Sequence, residues 1–142
     1  MISSIAAQKA PFPAPLYAAS KHAISAFVRS LALLEKTHHI RVNAVAPGIV
    51  KTPLWLEDEQ KRDWVDEKVD VWVEPWQIAE VMLDLVENEE NVGGTILEVG
   101  SETVRKVNLL NDPGPQGKGF DSSNGKSAME STLSLIAENY GK

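Results

Sequence analysis

The spacing of hydrophobic residues predicts two amphipathic helices. Apolar or small residues recur every three or four positions over residues 16–36, which is the period of a helix, and Pro15 suits its first turn, where no N–H is needed. Its stripe is Leu16, Ser20, Ala23, Phe27, Leu31 and Leu34. Pro75 opens the second helix. Its apolar stripe is Ile78, Val81, Met82 and Leu85, with Glu80, Asp84 and Glu87 on the opposite side.

Short runs rich in β-branched residues predict strands between and beside these helices. Residues 40–46 end at Pro47-Gly48 and predict a strand that feeds a tight turn, and residues 95–99 predict another strand. Residues 1–7 predict the end of a strand that runs into a Pro-rich loop. Helices and strands in alternation indicate an α/β fold with a parallel sheet and crossover helices.

The rest of the chain divides by composition. The charged segment 54–72 contains Trp55, Trp64 and Trp72 and predicts one or two short helices. Residues 112–126 are dense in Gly, Pro, Ser and Asn and predict a flexible linker. Residues 128–139 predict a short terminal helix. We therefore expect a folded domain over residues 1–110 and a flexible tail over 111–142.

The net charge and the content of cysteine and histidine argue against several classes of function. The 142-residue chain has a formal net charge of −6 and no basic stripe, which argues against nucleic acid or an anionic membrane as the main partner. It has no cysteine, so no disulfide framework or thiolate chemistry is expected. His38 and His39 are adjacent and His22 stands alone, so no metal site is predicted. The start of the chain does not resemble a signal peptide, and we expect a cytoplasmic protein.

Tyr17 and Lys21 are the most informative pair of residues. Side chains four positions apart lie on the same helix face, so the ammonium group is expected near the phenol. A nearby positive charge favours the phenolate form of a tyrosine. Such a group can exchange a proton with an alcohol or ketone, as general acid–base catalysis requires. By itself, a Tyr-x-x-x-Lys spacing more often marks an ordinary solvated helix face.

Neighbouring motifs favour a catalytic role for the pair over a solvated helix face. Ser4 lies thirteen residues before Tyr17, and the pair belongs to the longer motif Tyr-Ala-Ala-Ser-Lys. Downstream, residues 41–52 read Arg-Val-Asn-Ala-Val-Ala-Pro-Gly-Ile-Val-Lys-Thr, a strand followed by a Pro-Gly turn. In order and spacing, these segments closely resemble the short-chain dehydrogenase/reductase family over about residues 1–100. Within the family, the chain is most similar to the branch of 15-hydroxyprostaglandin dehydrogenases.

The resemblance implies a role for each matching residue. Ser4 matches the serine that hydrogen-bonds the substrate oxygen, and Tyr17 matches the catalytic acid–base. Lys21 matches the lysine that promotes the phenolate and binds the nicotinamide ribose. The nicotinamide carboxamide would be held by the stretch Pro47, Gly48, Val50, Lys51 and Thr52.

Several of these residues have a plainer interpretation. Ser3 and Ser4 could be mere loop hydroxyls, and only the thirteen-residue spacing favours Ser4 over Ser3. Thr52, which precedes Pro53, could belong to an ordinary turn or helix cap, and Asn43 is expected to make structural hydrogen bonds. Trp55 and Trp64 could line an apolar substrate pocket or pack a small helical pair. The family's fourth catalytic residue, an asparagine on an earlier helix, has no counterpart here.

The resemblance covers one half of the family's fold. No Gly-rich loop that binds the pyrophosphate occurs in the sequence. The expected fold is therefore the C-terminal half of a Rossmann-type doubly wound parallel sheet, without the N-terminal phosphate-binding half. The implied activity is interconversion of a small apolar secondary alcohol and a ketone with NAD or NADP, NAD being slightly favoured.

Two hypotheses follow for the chain itself. In the favoured one, it is a fragment or truncated form of a dehydrogenase that binds the cofactor poorly and is inactive alone. The full-length form would be a homodimer or homotetramer, for which the helix over residues 16–36 commonly provides the interface in this family. In the other, the chain is a non-catalytic half-domain that pairs with full-length dehydrogenases.

Overall fold

A short parallel pair of strands forms the centre of the fold. The computed structural model describes residues 1–9, 11–57, 64–66, 69–109 and 125–140. In it, β1 (Ala44–Pro47) and β2 (Ile96–Val99) pair in parallel, with Ala44 opposite Ile96. β3 (Val104–Lys106) pairs antiparallel with the far edge of β2. On the other edge, Ile2 forms a parallel bridge with Val45, so residues 1–3 lie as a further short strand beside β1.

The predicted α/β fold with parallel pairing is therefore confirmed, with three corrections. β1 begins at Ala44 rather than at residue 40. The side chain of Asn43, just before it, accepts a hydrogen bond from Thr95 N at 3.1 Å and donates one to Asn91 O at 3.0 Å. The extended start of the chain ends at Ser3, because Ile5–Ala7 forms a 3₁₀ turn. β3 was not predicted, since its three residues are all exposed and show no apolar alternation.

The predicted long helix over residues 16–36 is wrong in its length. The structure has two helices instead, α1 (Pro15–Ser30) and α2 (Leu33–His38). The turn at Gly93 and Gly94 packs against the break between them: a Cβ atom built at Gly94 would lie 2.9 Å from Ala32 Cβ. The Glu35 carboxylate of α2 accepts a hydrogen bond from Gly93 N at 2.7 Å. Tertiary contact thus overrides the continuous helical pattern of the sequence.

The sheet is covered by a helix on each face. On one face, Val45, Leu97 and Val99 pack with Ile78, Val81 and Leu85 of α4 (Pro75–Glu87), so the predicted stripe of this helix is confirmed apart from Met82, which is exposed. On the other face, Val28 of α1 packs with Ala44, Ala46 and Ile96. The predicted α1 stripe is wrong, because Leu16 and Phe27 are exposed and the buried residues are Ala18, Ser25 and Val28.

The remaining elements are short or peripheral. α3 (Pro53–Leu56) is the helix found in the charged segment, of which residues 58–63 and 67–68 lie outside the described residues. α5 (Gly125–Tyr140) contains the predicted terminal helix, whereas most of the predicted linker lies outside the described residues. None of the helices in the described ranges has the length and apolar character needed to cross a membrane.

Gly94 supplies a test of the packing at the helix break. Its φ is +87°, and an added methyl group would collide with Ala32 Cβ. We expect Gly94→Ala to lower the free energy of unfolding by about 1–3 kcal/mol, measured by urea denaturation. Gly48→Ala is the matched control, because a Cβ there would make ordinary contacts with Val73 Cγ2 at 3.5 Å and Val99 O at 3.6 Å. Equal stability of the two variants would contradict the packing described.

Candidate active site

Two neighbouring strand ends define the position of the candidate site. Ser4 directly follows residues 1–3, and Gly48 directly follows β1, which pairs with them. The two strands are parallel, so both residues lie at the carboxyl edge of the sheet. In open α/β sheets this edge is where ligands bind.

Ser4 is buried and its side chain faces the turn that follows. Its Oγ accepts a hydrogen bond from Ala6 N at 3.2 Å and so caps the 3₁₀ turn. In that bond Ser4 uses an oxygen lone pair, which leaves its O–H proton for another acceptor. The predicted role of donating a hydrogen bond to a substrate oxygen is therefore chemically open to Ser4.

Tyr17 and Lys21 lie in the first two turns of α1. Tyr17 is 49% exposed, while the next residue, Ala18, is buried against the fold. Lys21 Nζ lies 5.5 Å from the centroid of the Tyr17 ring, within the range of a cation–π contact. The predicted proximity of the two side chains is confirmed.

Lys21 is also joined to the strand that leads to Ser4. Its Nζ donates a hydrogen bond to Ile2 O at 3.2 Å. An ammonium group has three N–H donors, so this bond leaves two for a ligand or for the phenol.

The buried pair of Ser3 and Ser25 was not predicted, because Ser25 lies outside the motifs and Ser3 was considered only as an alternative to Ser4. The buried Ser3 Oγ donates a hydrogen bond to Lys21 O at 3.1 Å and lies 2.7 Å from Ser25 Oγ. The available signal was the spacing of Tyr17, Lys21 and Ser25, each four residues from the next on one helix face.

The segment after the Pro-Gly turn is held by a second small parallel bridge. Gly48 N donates to Val99 O at 2.9 Å, and beyond it Val50 pairs with Val73. The bonds run from Lys51 N to Val73 O and from Val73 N to Ile49 O, each 2.9 Å long. In this pattern the N–H and C=O of Val50 itself point away from Val73.

The structure tests the structural roles that the sequence suggested for Thr52 and Asn43. Thr52 stands at the N-cap position of α3, but its side chain makes no cap bond and donates instead to Val50 O at 3.3 Å. Thr52 O accepts hydrogen bonds from Trp55 N at 3.0 Å and Leu56 N at 3.2 Å, so its position at a helix cap is confirmed, although its side chain does not form the cap bond. Asn43 joins the start of β2 and the preceding turn, so its predicted structural role is confirmed.

The tryptophans of the charged segment differ in exposure: Trp55 and Trp72 are half-buried and Trp64 is exposed. The place of Trp55 and Trp64 in a substrate pocket stays a prediction. His22 contacts Ala18 O within its own helix, and no group of three metal-ligating residues occurs in the part of the chain that the structure describes.

A cavity of about 370 Å³ lies elsewhere in the fold. Its lining residues are Met1, Arg41, Val42, Asn43, Met82, Leu85 and Val86. Arg41, Val42 and Asn43 precede β1, so the cavity is at the amino end of that strand, opposite the edge that carries Ser4. It is therefore separate from the candidate active site.

A sheet with a parallel centre that helices cover on both faces defines a Rossmann-type α/β protein. Residues 1–63 match the family model described as short chain dehydrogenase. With the relatives below, this match identifies the chain as a member of the short-chain dehydrogenase/reductase family, a family of oxidoreductases.

Known relatives extend the match beyond the motif region. The NAD(+) 15-hydroxyprostaglandin dehydrogenase of Rattus norvegicus is 30% identical over 112 residues, 69% of this chain and 41% of the relative. An oxidoreductase of the short-chain dehydrogenase/reductase family from Burkholderia thailandensis superposes with a TM-score of 0.60 at 27% identity, covering 70% of this chain and 42% of that one. A 4-hydroxyisoleucine dehydrogenase in complex with NADH has a TM-score of 0.57 at 22% identity, covering 70% and 44%. The chain thus spans about two fifths of the length of these proteins.

The environment of Tyr17 predicts that its hydroxyl contributes little to folding. The side chain is half-exposed, and no hydrogen bond of its phenol oxygen is found within the described residues. We expect Tyr17→Phe to change the free energy of unfolding by less than about 0.5 kcal/mol, measured by urea denaturation. Ser25→Ala is the comparison, because the Ser25 hydroxyl is buried and bonded and its loss should cost about 1 kcal/mol. A larger loss for Tyr17→Phe would indicate a structural phenol.

Proposed function

We propose that this chain carries the hydride-transfer end of a nicotinamide-dependent oxidoreductase site that interconverts a secondary alcohol and a ketone. The observation that carries the proposal is the exposed Tyr17 phenol beside the Lys21 ammonium, at the sheet edge where Ser4 lies. Membership of an oxidoreductase family supports it.

The roles of the three residues follow from their chemistry. In alcohol oxidation, the Tyr17 oxygen takes the proton of the substrate hydroxyl, and in ketone reduction it returns that proton. Alcohol oxidation begins from the Tyr17 phenolate and ketone reduction ends with it, and the Lys21 ammonium is the nearby positive charge that attracts this anion. Ser4 donates its free O–H to the substrate oxygen and holds it near the phenol. When bound, the nicotinamide ring accepts or supplies the hydride.

The residues present fit the nicotinamide end of the cofactor. Lys21 has two N–H donors left for ribose hydroxyls, and the backbone N–H and C=O of Val50 face away from Val73, where they can meet a carboxamide. Pro47 and Gly48 form the turn between these groups, and Lys51 and Thr52 fix its far side. NAD is slightly favoured over NADP, since the rat relative is named for NAD(+).

The same sequence has no Gly-rich loop for the pyrophosphate, so we propose that this chain alone holds the cofactor weakly and is inactive alone at ordinary cofactor concentrations. We further propose a small apolar substrate, because half-buried Trp55 and Trp72 flank the segment after the Pro-Gly turn. A separate proposal concerns the compartment: we propose that the protein is located in the cytoplasm.

Comparison of NAD with nicotinamide mononucleotide tests this proposal. The mononucleotide has the nicotinamide ribose phosphate but lacks the adenosine half. We expect the purified chain to bind NAD and the mononucleotide with dissociation constants within about threefold of each other, near 1 mM. The constants should be similar because no residue of the chain is proposed to bind the adenosine half. Ligand-observed NMR titration measures both constants.

Matched lysine variants separate specific from charge-driven binding. Lys21→Met should weaken both ligands by about fivefold or more, and Lys36→Met, an exposed lysine of α2, should leave both unchanged. Micromolar binding of NAD with weak binding of the mononucleotide would show that the adenosine half is held by this chain. Absence of binding by either ligand at 10 mM, a concentration about tenfold above the expected constants, would overturn the nicotinamide site.

The exposed face of α1 favours a second candidate function, association with another dehydrogenase chain. Leu16 is 85% and Phe27 52% exposed, although both are large apolar residues. Such residues on one helix are typical of an interaction surface. For this function, a pull-down with full-length family members should recover a complex that Leu16→Glu weakens. Recovery equal to that of an unrelated protein of the same size would rule it out.

A further inference from the structure

We propose that Ser3 and Ser25 are positioning residues, which set the place of Lys21 relative to Ser4 through a buried pair of hydroxyl groups. The inference rests on the proposed function, because Lys21 and Ser4 are the groups that it positions. Neither serine touches the proposed substrate or cofactor; both act through the backbone of Lys21.

The direction of the two hydrogen bonds can be assigned. Ser3 Oγ donates to Lys21 O at 3.1 Å, and its Oγ lies 2.7 Å from Ser25 Oγ. A serine has one O–H proton. The two bonds can therefore exist together only if Ser3 donates its proton to the Lys21 carbonyl and Ser25 donates to Ser3. The result is an ordered chain from Ser25 through Ser3 to the Lys21 backbone.

Lys21 is thereby held at two points by consecutive residues. Its backbone carbonyl is bonded by Ser3, and its side-chain Nζ is bonded to Ile2 O at 3.2 Å. The residue after Ser3 is Ser4 itself. A rotation of α1 by one residue, or a slide by one turn of about 5.4 Å, would break both contacts. The pair of bonds therefore sets the register between the helix face with Tyr17 and the strand that ends at Ser4.

Packing alone does not account for the two hydroxyls. Ser3 is 2% and Ser25 5% exposed, and the other buried residues of α1, Ala18 and Val28, are apolar. Two alanines would fill nearly the same space without the desolvation cost of burying two polar groups. Hydrogen bonds have strict geometry, whereas contacts between small apolar residues tolerate sliding. The two hydroxyl groups thus fix the position of α1 relative to the strand, whereas two alanines would only fill the same space.

Chemical labelling of Lys21 tests the inference without an activity assay. Brief acetylation of the full chain, followed by peptide mass spectrometry, gives the reactivity of Lys21 relative to the exposed Lys36 of α2. We expect Ser3→Ala to raise this ratio about threefold or more, because the backbone clamp is lost and the bond to Ile2 O loosens. Ser25→Ala should raise it measurably but less than twofold, since the Ser3–Lys21 bond can persist without its partner hydroxyl.

The double variant makes the test sharper. If Ser25 acts through Ser3, the variant Ser3→Ala with Ser25→Ala should show the ratio of Ser3→Ala alone rather than the product of both effects. Ser30→Ala is the matched control, because Ser30 is an exposed serine of the same helix whose hydroxyl donates to Ala26 O within that helix. Its ratio should equal that of the wild type.

A substitution that keeps the hydroxyl group at position 3 distinguishes a positioning role from a general loss of packing. Ser3→Thr retains the hydroxyl and should keep the labelling ratio within about 1.5-fold of the wild type. A rise with Ser3→Thr equal to that with Ser3→Ala, or no rise with Ser3→Ala in a folded chain, would overturn the inference. If Ser3→Ala does not fold, the other two variants test the inference. It is wrong if Lys21 of Ser25→Ala is labelled no faster than Lys21 of the wild type. It is also wrong if Lys21 of Ser3→Thr is labelled about threefold faster. Because no cofactor or alcohol is present, failure of the proposed oxidoreductase activity would leave these outcomes unaffected.

Discussion

The contact between α1 and the strand of residues 1–3 is the constraint on which the site depends. Three groups proposed for chemistry come from two pieces of chain: Tyr17 and Lys21 from the helix, and Ser4 from the end of the strand. Lys21 is bonded to that strand through its ammonium group and through its backbone carbonyl. The strand is in turn bonded to β1 through Ser3 N and Val45 N. Any sliding of the helix would therefore separate the phenol from the serine.

The motif spacing predicted the chemical part of this arrangement well. Residues four apart share a helix face whatever surrounds the helix, so Tyr17 and Lys21 were expected to be close and are. The α4 stripe was also predictable, because one face of that helix packs on the sheet and the opposite face is exposed. The parallel pairing of β1 and β2 followed from the helix between them.

The features that were missed depend on contacts between distant parts of the chain. The break between α1 and α2 results from the turn at Gly94, more than sixty residues away, so the local pattern of residues 16–36 could not show it. The buried residues of α1 are Ala18, Ser25 and Val28, whereas the large residues Leu16 and Phe27 are exposed. A hydrophobic pattern is weak evidence where alanine and serine form the contact. The pairing of Ser3 with Ser25 was likewise hidden, since serines are common in loops and helices alike.

The proposed site contains groups for the reaction but few groups for holding a cofactor. We propose that Tyr17, Lys21, Ser4 and the backbone of Val50 contact the nicotinamide ribose and a substrate oxygen, while the sequence has no Gly-rich loop for the phosphates. Binding energy from remote parts of a cofactor normally holds its reacting part in place. The proposed weak binding and the proposed chemistry are therefore compatible.

An intermolecular nuclear Overhauser measurement tests the central claim most directly. The chain has two tyrosines, so in the Tyr140→Phe variant all tyrosine ring signals belong to Tyr17. With nicotinamide mononucleotide bound, the account predicts cross-peaks between the nicotinamide ring protons and the Tyr17 ring. Cross-peaks from the bound nicotinamide to the cavity residues Met82 and Val86, with none to Tyr17, would contradict it.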